Sequence, residues 1–574
     1  MGQVAGLISG GLPDALASAV REVALGLGAP IDGGAASEPA WQNLSEDKVL
    51  GALERLGPLH LSERDLTVEQ GAVYTPLGDA RCLVGLCDPR PGEIVCDPAV
   101  GSGVFLLAAA EHLWAQGVDG PVVAASLVGA DIDPVAVALS RAVVGLWSWW
   151  RCGQVAIPEG VVQADALVEP AWDRPDVVVG NPPFLGQLRG RTARSPERAA
   201  VLVERFGPAA RGYVDDSALF VLAGSRWVRP GGRVCLVVPR SVAGARAASG
   251  VRSEVARTAP MTACWLGGRE VFPDVAVDVF APVFEVGADV QLVTVVDRAG
   301  ASLGRFPSPG DGWARTLAAA DGVPVVEVRG RSVVGDVAEV GADFRDAYYW
   351  LAERVGEAPV GSEAPVGSEA QLRSQAAAHR AHRILTVGLI DPLWDRHGAL
   401  AARLARRAWK APVVAMPDDD DPVVVAWAER RARPKVVVAT QTKVVECVVD
   451  AEGDVLPCTP LISVVPSDPS RLWHLAAALS SPVISAVAAA ESAGTGLGAG
   501  TFRLRAQQVG AFGLPEDVDA WDRAALLARM LHRRGDAPGP AADRWAEFGV
   551  ASCQAYGVDD PALVSWWLER LPRR

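Results

Sequence analysis

An α/β fold built on a mostly parallel sheet is what the sequence predicts, on three observations. From residue 61 to about 290, short β-rich runs alternate with helix-like stretches, and repeated β-α units imply a parallel sheet covered on both faces. Four polar motifs stand in order at the ends of consecutive runs, the arrangement that lines one crevice of such a sheet. The chain has 574 residues, 50% of them apolar and 21% charged. It is an ordinary globular sequence too long for one core, so two or three domains are expected.

Residues 12–27 can form a helix, and the Gly/Ala/Ser/Pro-rich stretch 28–40 reads as a linker. Together they make residues 1–60 an N-terminal helical segment and linker. Residues 61–330 form the α/β domain. Its strands are expected at "GEIVCDP", "SLVGADID", "GVVQAD", "DVVVGNPP" and "GGRVCLVVP", with helices at 103–116, 134–147 and 215–229. "LGGREVFPDVAVDVFAPVFEV" (266–286) then reads as an antiparallel hairpin at the sheet's edge. Residues 331–574 make a further α+β region, with β-rich "KVVVATQTKVVECVV" (435–449) and a helical stretch over 468–493. Within it, 356–370 holds APVGSE written twice, a low-complexity surface loop by composition. "DDDD" (418–421) reads as an exposed loop.

Charge and cysteine usage bound the setting. No apolar run is long enough to cross a bilayer, so no membrane partner is expected. The N-terminus has no basic region before its apolar stretch, which argues against a secretory signal. Nine cysteines without CxxC pairs or nearby His clusters predict no metal site, no disulfide framework and a reducing cytoplasm. The net charge of −14 opposes indiscriminate nucleic-acid binding, yet basic residues cluster. The stretch 379–410 is one cluster; Arg189, Arg191, Arg194, Arg198, Arg205 and Arg211 are another. Each reads either as a local face for a phosphate backbone or as a solvated helix face.

The motifs carry the chemistry. In "CDPAVGSGVFLLAAA" (96–110), Gly101 and Gly103 let a backbone approach a ligand closely where a helix begins. Asp97 before that turn would repel phosphate and suits an ammonium group; a structural tight turn is the plainer alternative. Asp131, ending the second strand, can accept both hydroxyls of a ribose. Asp165, after the third, can accept from an adenine amino group. The fourth strand ends in Asn181-Pro182-Pro183-Phe184. Any one of these acids could be a mere cap, but four motifs in register favour a site.

This ordered set resembles the gamma class of S-adenosylmethionine-dependent adenine-N6 DNA methyltransferases. "GAVYTPLGDARCLV" (71–84) stands where the family has its TP segment, with Thr75 and Pro76 on the pattern, while Val100 replaces the usual Cys. The resemblance implies a Rossmann-like seven-stranded methyltransferase sheet, mostly parallel with an antiparallel edge hairpin, and a C-terminal α+β DNA-recognition domain over 331–574. It implies S-adenosyl-L-methionine as cofactor, held by Tyr74, Thr75, Asp97, Pro98, Ala99 and Gly101 on one side. Gly103, Asp131, Ile132, Asp165, Ala166 and Phe220 complete that set. Asn181, Pro182, Pro183 and Phe184 are the implied catalytic residues, and Phe184 and Phe272 the implied stacking partners of the target base. The implied partner is double-stranded DNA, together with a separate restriction or defence protein.

The motif has a physical rationale. Adenine's exocyclic nitrogen is a poor nucleophile because its lone pair is delocalised into the ring. The Asn181 side-chain oxygen and the Pro182 carbonyl can accept its two N–H bonds and localise that lone pair, and prolines hold the acceptors rigidly. Phe184 offers a face to a base flipped from the duplex. Protein glutamine-N5 methyltransferases share the motif, but are shorter and lack the TP segment and the C-terminal region. Cytosine-N4 enzymes more often carry Ser at the Asn181 position. A catalytically inactive DNA-binding module on the same fold is the non-enzyme alternative. About 60 residues before the catalytic domain are too few for a nuclease, so methylation without cleavage is expected.

Overall fold

The computed structural model describes residues 11–29, 45–63, 73–185, 194–272, 277–328, 330–342, 345–358, 381–416, 422–496, 500–536 and 542–572. The DDDD run, most of 356–370, and Arg189 and Arg191 lie outside them. The chain divides into two compact units, Met1–Ala320 and Asp321–Arg574.

In the first unit, strands β1 (Val95–Asp97), β2 (Leu127–Asp131), β3 (Gly160–Gln163), β4 (Val177–Gly180) and β5 (Arg233–Leu236) are parallel neighbours in the order β3-β2-β1-β4-β5. β1 and β4 are buried along their whole length, which is why "VVVG" is a continuous apolar run rather than an alternating one. Strand order reverses between β1 and β4, and open α/β sheets bind ligands at that switch point.

The seven-stranded expectation is corrected to a ten-stranded sheet. Beyond β5 come the two-residue β6 (Val238–Pro239), then β7 (Met261–Gly268), β8 (Val279–Glu285), β9 (Leu292–Val296) and β10 (Ser302–Pro307). β8 runs antiparallel between β5 and β7, β9 joins β7 in parallel, and β10 closes the edge. The hairpin expected at 266–286 is antiparallel, but its first strand starts earlier, at Met261, and the pair is interior rather than at the edge. The alternating burial of β9 and the largely open β10 mark the true edge, which local pattern could not order against distant strands.

Helices α1 (Asp14–Gly26), α2 (Glu46–Glu54) and α3 (Leu56–Glu63) bury Leu16, Val20, Leu50, Leu53 and Leu56 in the same core as α4 (Leu77–Cys87), α5 (Val104–Ala115) and α7 (Pro134–Cys152). Between the last two lies α6 (Gly120–Ser126). Glu54 accepts the Leu77 N–H (2.9 Å) and Trp149 donates to the Leu27 carbonyl (3.2 Å). α5 is mostly apolar around its circumference and buried, as a helix enclosed in a core must be, and its buried Glu111 is paired with Arg151. It starts at Gly103, whose φ of +85° and whose approach to Ser140 leave no room for a Cβ. α8 (Pro196–Phe206) and α9 (Asp216–Trp227) follow β4.

The second unit pairs Ala338–Ala342, Ile462–Pro466, Lys435–Val438 and Cys447–Asp450 in an antiparallel four-stranded sheet. The expected helix over 468–493 is broken. Leu472–Leu479 and Pro482–Ser492 are separate helices, because Ser481 caps the second through the Ile484 N–H (3.1 Å) and Pro482 cannot continue the first. Among the described residues no single helix is long and apolar enough to cross a membrane. The one bent pair with that composition has most of its apolar side chains in the unit's core.

Candidate active site

A cavity of about 620 Å³ opens at the C-terminal ends of β1, β2 and β4, a size common for small-molecule sites. The turn after β1 brings Asp97, Pro98, Ala99, Val100 and Gly101 to it. Asp131 and Ile132 come from the end of β2, Asp165 and Ala166 from the loop after β3, and Asn181 and Pro183 from the end of β4. Tyr74, Thr75 and Phe220 complete the expected set.

Asn181 is tied by one bond. Its Nδ2 donates to Thr75 Oγ1 (3.0 Å), while Oδ1 is buried without a hydrogen-bond partner. An unmet buried acceptor costs free energy and points to a missing donor. Gly180, the preceding residue, lies against Asp97, and a Cβ there would sit 2.4 Å from Oδ1 of that carboxylate. Asp97 Oδ1 accepts the Ala99 N–H (3.0 Å); Oδ2 is buried and unpartnered. Burial outweighs that backbone bond, and with the nearby Asp131 charge it pushes the Asp97 carboxyl up to about 8.

Asp131 is better satisfied. Oδ2 accepts from the Gly101 N–H and Oδ1 from the Asp133 N–H, each at 2.9 Å. Burial still raises its pKa, against the pull of those two bonds. Ile132 beside it is 71% exposed, an apolar side chain on the cavity wall with nothing over it. Burial, and then the adjacent Glu54 carboxylate, raise the Tyr74 phenol, which keeps it protonated.

The basic cluster after β4 turns inward. Arg194 Nε and Nη2 donate to Asp216 Oδ1 (2.8 and 2.6 Å), and Arg198 Nη1 to Asp216 Oδ2 (2.6 Å). Arg198 Nε donates to Asp165 Oδ2 (3.0 Å), whose other oxygen accepts the Leu167 N–H (3.1 Å). Arg205 donates to the Val168 carbonyl. Of that cluster's described members, these three are committed to internal partners rather than to a phosphate-holding face.

Four expected site residues do not line the cavity: Gly103, Pro182, Phe184 and Phe272. Gly103 serves the helix packing described above. Phe184 and Phe272 meet edge to face, centroids 6.0 Å apart, and Phe272 is only 3% exposed. The structure adds residues that pattern reading missed. Gly57, His60 and Leu61 of α3 form one wall, and Arg194, Ser195 and Arg198 another. His60 Nε2 stands 3.2 Å from Asp133 Oδ2, and Asp133 Oδ1 caps α7 through the Val135 N–H. A lone histidine at the start of the chain carries no local signal of this. Among the described residues no group of three metal-ligating side chains comes together.

Residues 63–263 match the N-6 DNA Methylase family. Over 207 residues the chain is 30% identical to the type II methyltransferase M.TthHB8I of Thermus thermophilus, a match covering 35% of this chain and 42% of that protein. It is 33% identical over 114 residues to the methylase subunit of the type I restriction enzyme MjaIX of Methanocaldococcus jannaschii, covering 20% and 19% respectively. The match thus spans less than half the length of these curated relatives. The fold of the type IIL restriction-modification enzyme MmeI, solved in complex with DNA, superposes with a TM-score of 0.54. That superposition covers 92% of this chain and 78% of that one at 12% identity, a likeness of fold.

Proposed function

We propose that this chain, whose residues 63–263 match the N-6 DNA Methylase family, transfers a methyl group from S-adenosylmethionine to N6 of an adenine flipped from duplex DNA. The setting we infer is restriction-modification or phage defence, with the second unit recognising the target sequence. The carrying observation is the Asn181 side-chain oxygen, buried and without a donor at the tip of β4.

The cavity's donors and acceptors fit the cofactor. The unpartnered Asp97 Oδ2 suits an ammonium group, and the free lone pairs of Asp131 suit ribose hydroxyls. The uncovered Ile132 and the buried Ala166 suit the two faces of a purine, and Asp165, oriented by Arg198, has acceptor capacity left for its amino group. When bound, the sulfonium supplies an activated methyl.

The chain's own residues supply position and polarisation. Thr75 holds the Asn181 Nδ2, which leaves the buried Oδ1 available to accept from the amine. That oxygen and the Pro182 carbonyl accept the two N–H bonds, which drives the nitrogen toward tetrahedral geometry and directs its lone pair at the methyl carbon. With a bound methyl donor the acceptor amine would gain the methyl group, and the proton it then carries in excess would leave to water. Phe184, packed against the buried Phe272, would offer a stacking surface to the base.

The test uses tritiated methyl donor and genomic DNA from cells lacking the gene. Wild type labels DNA adenine at N6; Asn181→Ala reduces transfer by at least about 10²-fold, the scale of losing one polarising group, while cofactor affinity stays within a few-fold. Label on a polypeptide amide, or undiminished turnover by the variant, overturns the assignment.

A further inference from the structure

The basic stretch 379–410 resolves into two kinds of cation. Arg383 donates to Asp454 (3.0 and 2.8 Å) and to Asp395, and Arg396 donates to Asp391 (3.1 Å). Arg403, Arg406, Arg407 and Lys410 are instead exposed, and among the described residues their side chains have no ion pair or hydrogen bond. All four lie in or next to one two-stranded ribbon, Ala402–Leu404 paired antiparallel with Arg407–Trp409.

The ribbon is anchored from below. Ala402 and Leu404 are buried and alternate with the exposed Arg403, and the Trp409 indole donates to the Leu404 carbonyl (3.1 Å). Its turn is the two residues Ala405 and Arg406, at φ +53° and +63°. A primed turn of this kind asks for Asn-Gly, and side chains rarely adopt it. An arginine held in a strained conformation at the tip of a charged ribbon is an outlier that stability does not explain.

We propose that the ribbon Ala402–Trp409 enters the major groove of duplex DNA. Arg403, Arg407 and Lys410 lie against phosphates, and Arg406 at the turn reaches base edges. A two-stranded ribbon fits that groove, and arginine is the usual bidentate partner of guanine there. The inference rests on the DNA-methyltransferase reading above and adds which element meets the DNA.

The test has two arms on the full-length chain. Binding of a fluorescein-labelled duplex of mixed sequence is followed by anisotropy from about 50 to 200 mM salt. Arg403→Gln/Arg407→Gln/Lys410→Gln lowers the slope of log affinity against log salt by about 2 to 3, near 0.9 for each phosphate no longer neutralised. The second arm is Arg406→Gly, which places glycine where the backbone prefers it. Its thermal midpoint equals or exceeds that of wild type, while long-read sequencing of cellular DNA shows a relaxed methylation motif. Wild-type methylation with slope and motif unchanged in both variants removes the ribbon from the interface and leaves the enzyme reading standing. Absence of both DNA methylation and salt-dependent binding in wild type overturns the two together.

Discussion

At the scale of single residues, the site stores unfavourable interactions in buried acceptors without a partner, Asp97 Oδ2 and Asn181 Oδ1. Asp97 is the clearest. Its folded pKa of about 8 lies above the ordinary carboxylate value of 3.8, so between those values the folded chain holds a proton that the unfolded chain has lost. Stability from this group therefore falls as pH rises from about 4 through about 8. Asp97→Asn abolishes that dependence. The variant's thermal midpoint minus that of wild type should grow across this window, while its affinity for S-adenosylmethionine drops at least about tenfold, the loss of a charge-assisted bond. A flat difference curve would show the carboxyl to be ionised in the free protein. On the proposed role of Asp97, wild-type affinity for the methyl donor should strengthen as pH rises toward 8, because the carboxylate is the form that would hold an ammonium group. Thr75→Val removes the acceptor that orients Asn181. Transfer should slow by about 10- to 100-fold, since small misplacements of a reacting group cost that much. Single-turnover rates would read it, and an unchanged rate would mean that the strand end alone sets the amide.

At the scale of elements, the N-terminal helices matter more than their sequence suggested. α3 carries Gly57 against the Tyr74 ring, where a Cβ would lie 2.3 Å from Cε2 and 2.8 Å from Ser102 Oγ. Gly57→Val should displace Tyr74 and that wall, costing about 1–3 kcal/mol in overpacking. Cofactor affinity measured by calorimetry should fall about tenfold, with the far-ultraviolet circular dichroism spectrum preserved; unchanged affinity would detach α3 from the site. The sheet teaches a related lesson. Of the β7–β8 pair the sequence showed β8 and only the last three residues of β7, and it gave no sign of β9 and β10 beyond it, because a strand's neighbours are chosen by long-range register and burial.

At the scale of the whole molecule, two units with separate cores make a single unfolding free energy undefined. Urea titration should resolve two transitions, and S-adenosylmethionine should move only the one belonging to Met1–Ala320. At a hundredfold excess over its dissociation constant the shift corresponds to about 2.7 kcal/mol. One transition, moved as a whole by the cofactor, would show the two cores to be energetically one.

The sequence by itself determined the parallel sheet, its first five strands and the polar residues at their tips. Those features are written locally, as apolar runs ending in Asp97, Asp131, Asp165 and Asn181. Only the tertiary structure decided that Thr75 holds the Asn181 amide, that His60 and Gly57 wall the cavity, and that Arg194 and Arg198 are spent on Asp216. It also separated the paired arginines of 379–410 from the free ones on the ribbon. The reason is physical. A backbone pattern reports which face of a strand or helix is apolar, whereas a charge's fate depends on which distant side chain packing brings within a few ångströms of it.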